Sequence, residues 1–221
     1  MQSEFTIQNS LFYDLQKKSE IVITNFTPKN WWECDIWAVS KSGYATEYEI
    51  KISRADFKKD VEKERRVRGI GCQMVTEKKC DILQECVSGD GHTHPPKHFY
   101  YVTPEDMVEP DEIPEYAGHI VMCSRVSKTL KRAPVLHRDK ADQGDIDNAK
   151  RAFYYRYWNM RERLESTKKK EKMRKLTEGQ DLLWWMRKGL GEENTRKVVE
   201  HIGKKQQTVT NILLAADHLG L

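Results

Sequence analysis

The sequence predicts an α/β domain followed by a small all-α unit, and three observations carry that prediction. Short runs rich in β-branched and alternating apolar residues recur over 21–52 and again over 97–130. Stretches suited to capped helices lie before and between them, at 11–18 and 54–68. From Gln143 onward the strand pattern stops, and apolar residues fall at three- and four-residue steps. A chain of 221 residues holds one domain with an appendage, or two small domains. The division expected is a core at 1–141, a long basic helix or linker at 142–176 and a helical unit at 177–221.

Composition narrows the function classes. With 38% hydrophobic and 33% charged residues, the chain reads as a soluble protein with a modest core. No apolar run approaches the roughly 20 residues of a membrane span. The opening MQSEFTIQNSLFYDLQKK lacks the basic start and apolar stretch of a signal peptide. A cytoplasmic protein without a membrane partner is expected. Cys34, Cys72, Cys80, Cys86 and Cys123 are odd in number and form no regular framework, which fits reduced thiols. The net charge of +4 conceals an asymmetry. Residues 1–149 hold 21 Lys+Arg against 25 Asp+Glu, a net of −4, whereas 150–221 hold 17 against 9, a net of +8. An acidic half joined to a basic tail suits a protein that handles a polyanion.

Asn9 or Ser10 can cap a first helix at 11–18, with Leu11, Phe12 and Leu15 apolar, and a strand follows at 21–26. Asp14 and Glu20 fit surface roles. Two strands, 33–40 and 44–52, flank Lys41-Ser42-Gly43, a three-residue hairpin loop in which Gly43 takes the left-handed position. That loop sets Ser40 against Tyr44, hence Asp35 against Glu49 and Glu33 against Lys51. The period of two puts Cys34, Ile36, Ala38, Tyr48 and Ile50 on one face. Glu33, Asp35, Trp37, Glu47, Glu49 and Lys51 take the other. Opposed carboxylates roughly 5 Å apart at Cβ repel, and a hard divalent cation between Asp35 and Glu49 reverses that term. Lys51, on the same face, can hold or help deprotonate a metal-bound water. A solvated polar face on an edge hairpin explains the same residues, and the strand pair alone leaves both readings open.

Asp35 followed by Glu49-Ile50-Lys51 resembles the Asp…(Asp/Glu)-X-Lys signature of the PD-(D/E)XK nuclease superfamily. The continuation Ile52-Ser53-Arg54-Ala55-Asp56-Phe57 is similar to a branch of small bacterial and phage proteins associated with DNA repair. The segment KHFYYVTPEDMVEPDEIPEYAGHIVM resembles the next strand, loop and strand of that branch. The likeness spans about residues 5 to 140. Cys34 stands where the superfamily often has proline, and residues 69–96 interrupt the usual passage from helix to strand. The resemblance implies a restriction-endonuclease-like core with a mixed central sheet. It also implies Mg²⁺ or Mn²⁺ held by Asp35, Glu49 and the Ile50 carbonyl, with Lys51 orienting the attacking water.

Ser53 is a plausible N-cap for the helix at 54–68, with Asp56 closing a capping box. Phe57 and Val61 are spaced to meet the sheet, and Arg65, Arg66 and Arg68 at its exit are phosphate-contact candidates. The 69–96 insertion carries Cys72, Cys80, Cys86, His92 and His94, with His98 just after. A structural Zn²⁺ needs about four such ligands and stabilises a small coreless insertion. The spacings match no CxxC knuckle, so buried or idle thiols remain the alternative. Strands are expected at 97–102, 119–123 and 126–130, with a Pro-bounded loop at 111–116.

The helix at 146–175 carries Ala149, Phe153, Tyr157, Met160 and Leu164 on one side, broadened by Tyr154, Tyr155 and Trp158, which reads as a packing helix and not a base-stacking platform. Lys168, Lys169, Lys170 and Lys172 form an exposed basic run suited to phosphate. Helical patterns follow at 180–188, 192–202 and 206–219. The last two resemble a helix-turn-helix in which Gln206, Gln207, Thr208 and Thr210 face the groove, and a small packing or dimerisation bundle fits equally. The expected function is metal-dependent phosphodiester hydrolysis of DNA, with RNA left open, in repair, recombination or phage DNA metabolism. The alternative is a DNA-binding or adaptor protein that keeps the fold and does not cut.

Overall fold

The structure, a computed structural model, describes residues 3–60, 62–68, 73–88, 95–124 and 126–202. The chain divides into two compact units, Met1–Tyr154 and Tyr155–Leu221.

The first unit is α/β. Helix α1 (Glu4–Leu15) starts earlier than its apolar pattern suggests, because Ser3 Oγ accepts the Thr6 N–H and Ile7 joins Leu11 on the buried side. Strands β1 (Ser19–Phe26), β2 (Cys34–Ser40) and β3 (Ala45–Ile50) then form an antiparallel meander. Gly43 has φ +88°, and Ser40 N–H donates to the Tyr44 carbonyl at 2.9 Å. The register pairs Ile36 with Tyr48 and Trp37 with Glu47. This is the register the loop length predicts, and beyond Ile36 the Asp35 side chain itself accepts the Ile50 N–H.

Helix α2 (Arg54–Asp60) follows, its first turn held by the Asp56 N–H on Ser53 Oγ. Arg54 ties the helix to the loop beyond the next sheet strand, through the Met107 carbonyl at 3.1 Å and the Glu112 carboxylate. The helix expected to run to 68 ends at Asp60. Lys63, Arg65 and Val67 are half-buried while Glu62, Glu64 and Arg66 are exposed. That period of two makes the rest a strand, β4 (Glu64–Arg68), paired antiparallel with β5 (Met74–Lys78). Helix α3 (Lys79–Ser88) follows. The insertion thus has secondary structure, and Ile82, Leu83 and Cys86 give it a share of the core.

Strands β6 (His98–Pro104), β7 (Gly118–Cys123) and β8 (Val126–Lys131) complete a mixed six-stranded sheet of order β1-β2-β3-β6-β7-β8. The β3–β6 and β6–β7 pairs are parallel and the remainder antiparallel. Each sheet face has its own core. Ile7 and Leu11 of α1 cover Val22, Ile36, Ala38, Tyr48, Ile50 and Val102. On the opposite face Trp31, Trp37, Val39, Phe99 and Tyr101 pack with Phe57 of α2 and Leu83 of α3. Cys34 joins this second core and not the Ile36 face expected for it. It opens β2 directly after the loop bearing Trp31 and Trp32, and its thiol donates to the Trp32 carbonyl.

Residues 146–175 and 180–188 lie in one helix, α4 (Gln143–Leu190), which ends before Gly191 at φ +81° and not at Gly189. Ala149 is buried in the first unit, but Phe153, Tyr154, Tyr155, Tyr157, Trp158, Met160 and Leu164 are each at least 43% exposed. Helix α5 (Glu192–Ile202) occupies the expected span. Gln206, Gln207, Thr208 and Thr210 lie outside the described residues. No helix among the described residues is long and apolar enough to cross a membrane.

Candidate functional site

Strand β3 lies between β2 and β6, so the polar face of the hairpin is not an edge. Glu47 is 0%, Glu49 1% and Lys51 6% exposed, which removes the solvated-face reading of these three residues. Glu33 is exposed ahead of β2, and Trp37 belongs to the core. Buried charge on this scale requires partners, since an unpaired carboxylate inside a protein is costly.

The partners come from three segments. Glu47 accepts from Trp31 Nε1 through Oε2 at 2.6 Å and from Lys79 Nζ through Oε1 at 2.6 Å. Glu49 accepts from Lys79 through Oε2 at 2.8 Å, and from Lys51 and Lys63 through Oε1 at 2.9 and 3.0 Å. Asp60, the last residue of α2, holds Lys51 Nζ at 2.8 Å through Oδ1 and accepts the Tyr101 hydroxyl at 2.7 Å through Oδ2. Burial alone would raise the Glu49 carboxyl, yet the ammoniums of Lys79, Lys51 and Lys63 hold it well below the usual range. Burial would likewise strip the proton from Lys51, but Glu49 and Asp60 hold it above its ordinary value. Lys51 thus has a carboxylate on each side, Glu49 at 2.9 Å and Asp60 at 2.8 Å.

Asp35 sits at the open end of the hairpin, where its Oδ2 accepts the Ile50 N–H at 2.7 Å. Burial, and then the charge of Glu49, push its carboxyl up to about 7. Asp35, Glu49, Ile50, Lys51, Asp60 and Lys63 line one cleft of about 540 Å³. The sequence-predicted trio is thus brought together. Four carboxylates (Asp35, Glu47, Glu49, Asp60) meet three ammoniums (Lys51, Lys63, Lys79). Asp35, raised by burial and by Glu49, lies next to Glu49 on the side of the cleft.

Among the described residues no group of three or more His, Cys, Asp and Glu side chains is placed to hold a metal ion. A cation here would rely on two carboxylates and a backbone carbonyl, an all-oxygen set that suits Mg²⁺ or Mn²⁺ retaining several waters. The raised Asp35 carboxyl fits such a cation, which would relieve its repulsion with Glu49. Lys63, with a side chain 33% exposed, is the Glu49 partner with most room to move aside.

The other candidates fare differently. Cys86 is buried in the core, Cys80 donates to Asp81 Oδ1, and His98 Nδ1 lies 2.9 Å from the Pro134 carbonyl. They do not converge, and Cys72, His92 and His94 lie outside the described residues. Arg65 binds Glu77 with two nitrogens, at 2.9 and 3.1 Å, and lies 4.1 Å over the Trp32 ring. Arg66 is exposed on β4, and Arg68 pairs with Met74 in the hairpin. Lys168, Lys169 and Lys170 are exposed on α4, which also carries Lys172.

Sequence reasoning missed Asp60, Lys63, Lys79 and Tyr101. Tyr101 lies opposite Glu49 in the parallel β3–β6 register, a pairing of distant strands that no local pattern marks. Asp60 and Lys79 stand in charge-rich stretches where one buried residue looks like its exposed neighbours.

No family model and no curated protein matches the sequence. Among solved structures the chain is similar to the SPO1766 protein of unknown function from Silicibacter pomeroyi, at 15% identity and a TM-score of 0.50. The match covers 73% of this chain and 92% of that one. At that identity the likeness speaks for the fold alone.

Proposed function

We propose that this protein is a nuclease of PD-(D/E)XK type, hydrolysing DNA phosphodiester bonds with Mg²⁺ or Mn²⁺, in repair, recombination or phage DNA metabolism. One observation carries the reading: Asp35 and Glu49 share a cleft with Lys51, two residues past Glu49, whose Nζ lies 2.9 Å from Glu49 Oε1. Asp35, Glu49 and the Ile50 carbonyl would hold the cation. When bound, a divalent cation supplies Lewis acidity at phosphorus and lowers the pKa of water.

The residues around it do the positioning. Lys51 orients the attacking water and offsets the negative charge that grows on the phosphoryl oxygens. Asp60 and Glu49 fix the lysine from two sides, and the Tyr101 hydroxyl fixes Asp60. In the net reaction water oxygen bonds to phosphorus, the bond to one ester oxygen breaks, and that oxygen leaves with a proton. The basic run Lys168, Lys169, Lys170 and Lys172 supplies phosphate contacts.

The rival reading, a non-cleaving DNA-binding or adaptor protein, draws on one observation. Both Glu49 oxygens already carry lysine partners. Incubating the full chain with labelled linear, nicked, forked and single-stranded DNA, with and without Mg²⁺ or Mn²⁺, separates the two. Metal-dependent products are expected. Binding without products under every condition favours the rival.

A further inference from the structure

We propose that Lys79 is a positioning residue that fills the place between Glu47 and Glu49, so that the site takes one divalent cation per chain. This inference rests on the nuclease reading and adds to it the number of ions and the role of the insertion.

Lys79 opens α3, immediately after the β4–β5 hairpin, and its N–H donates to the Lys63 carbonyl at 3.1 Å. The two lysines therefore face each other at the base of the hairpin. Both deliver their ammoniums to Glu49, Lys63 to Oε1 and Lys79 to Oε2. They differ in access: the Lys79 side chain is 1% exposed and that of Lys63 33%.

The Lys79 ammonium bridges Glu47 and Glu49 at 2.6 and 2.8 Å, and lies 4.9 Å from the Phe99 ring centroid. Two-metal hydrolytic sites place their ions roughly 3.5–4 Å apart and share carboxylates between them. Here the bridging place between Glu47 and Glu49 is filled by a side chain. The remaining Glu47 oxygen accepts from Trp31 Nε1, so Glu47 has a donor on each oxygen. The inner end is closed by protein, and the outer end, with Asp35 and Glu49 Oε1, lines the cleft. Lys79 also fixes the Glu49 carboxylate plane, as outer-shell partners do for metal ligands. The residues interrupting the passage from α2 to β6 thus complete the site.

The test is Mn²⁺ titration of the metal-free full chain, followed by paramagnetic resonance of the free ion and by calorimetry. One Mn²⁺ per wild-type chain is expected. Two per chain overturn the inference and leave the nuclease reading standing, whereas none overturns both. The E47Q/K79M variant removes the inner charges together and leaves no bare carboxylate at Glu47. It is expected to bind one Mn²⁺ with affinity lowered about tenfold, the low end for loss of an outer-shell partner. Unchanged affinity in a folded variant overturns the positioning role. If that variant does not fold, the wild-type stoichiometry still decides the count.

Discussion

Asp60 Oδ1 lies 2.8 Å from Lys51 Nζ, so helix α2 reaches back to clamp the lysine that the end of β3 delivers. Both side chains are at least 92% buried, and breaking such a pair leaves an uncompensated charge. Asp60→Ala is expected to lower stability by about 3–5 kcal/mol, the usual range for removing one partner of a buried pair. Urea unfolding of both proteins measures it. A change under about 1 kcal/mol would place this pair with the weak exposed ones.

Asp35 predicts a pH dependence for the metal-free protein. Its folded pKa is raised from 3.8 to about 7, so the fold disfavours the charged form. Below about 4 this residue costs nothing; stability falls as pH rises from about 4 to about 7 and then levels. Asp35→Asn removes that fall. The difference in Tm, variant minus wild type, should therefore grow between pH 5 and pH 8. Adding Mn²⁺ at pH 8 should shrink it, because the ion favours the wild-type carboxylate. A difference that is flat with pH contradicts the assignment.

How much of this was legible in the chain varies by element. The β2–β3 hairpin follows from local signals: a period of two, a glycine where φ must be positive, and a loop length that fixes register. Those signals sufficed to bring Asp35 and Glu49 together. The stretch after Asp60 was misread because alternating charges mimic the i,i+4 pairs of an exposed helix, and only burial shows the period of two. Lys79 was out of reach for another reason. It lies 32 residues from Glu47 and 30 from Glu49, and no local pattern marks it apart from Lys78.

The basic run on α4 predicts a salt effect. Replacing Lys168, Lys169 and Lys170 by glutamine removes three exposed positive charges. If each contacts a phosphate, the slope of log K against log salt on duplex DNA should flatten by about 2–3. Fluorescence anisotropy at several salt concentrations measures it. An unchanged slope would assign the run to assembly and not to nucleic acid.

If this site cuts DNA, Lys51 is the residue whose loss shows it. Lys51→Ala removes the charge held between Glu49 and Asp60, so both proteins are compared at a temperature where circular dichroism shows each folded. Cleavage and affinity should be measured for wild type and variant on the same labelled DNA with Mn²⁺. The account predicts metal-dependent cleavage by the wild type, a loss of roughly 10²–10³ in rate for the variant, and nearly equal binding. Equal cleavage by both would make Lys51 a structural lysine, and binding without cleavage by the wild type on every substrate would contradict the nuclease assignment itself.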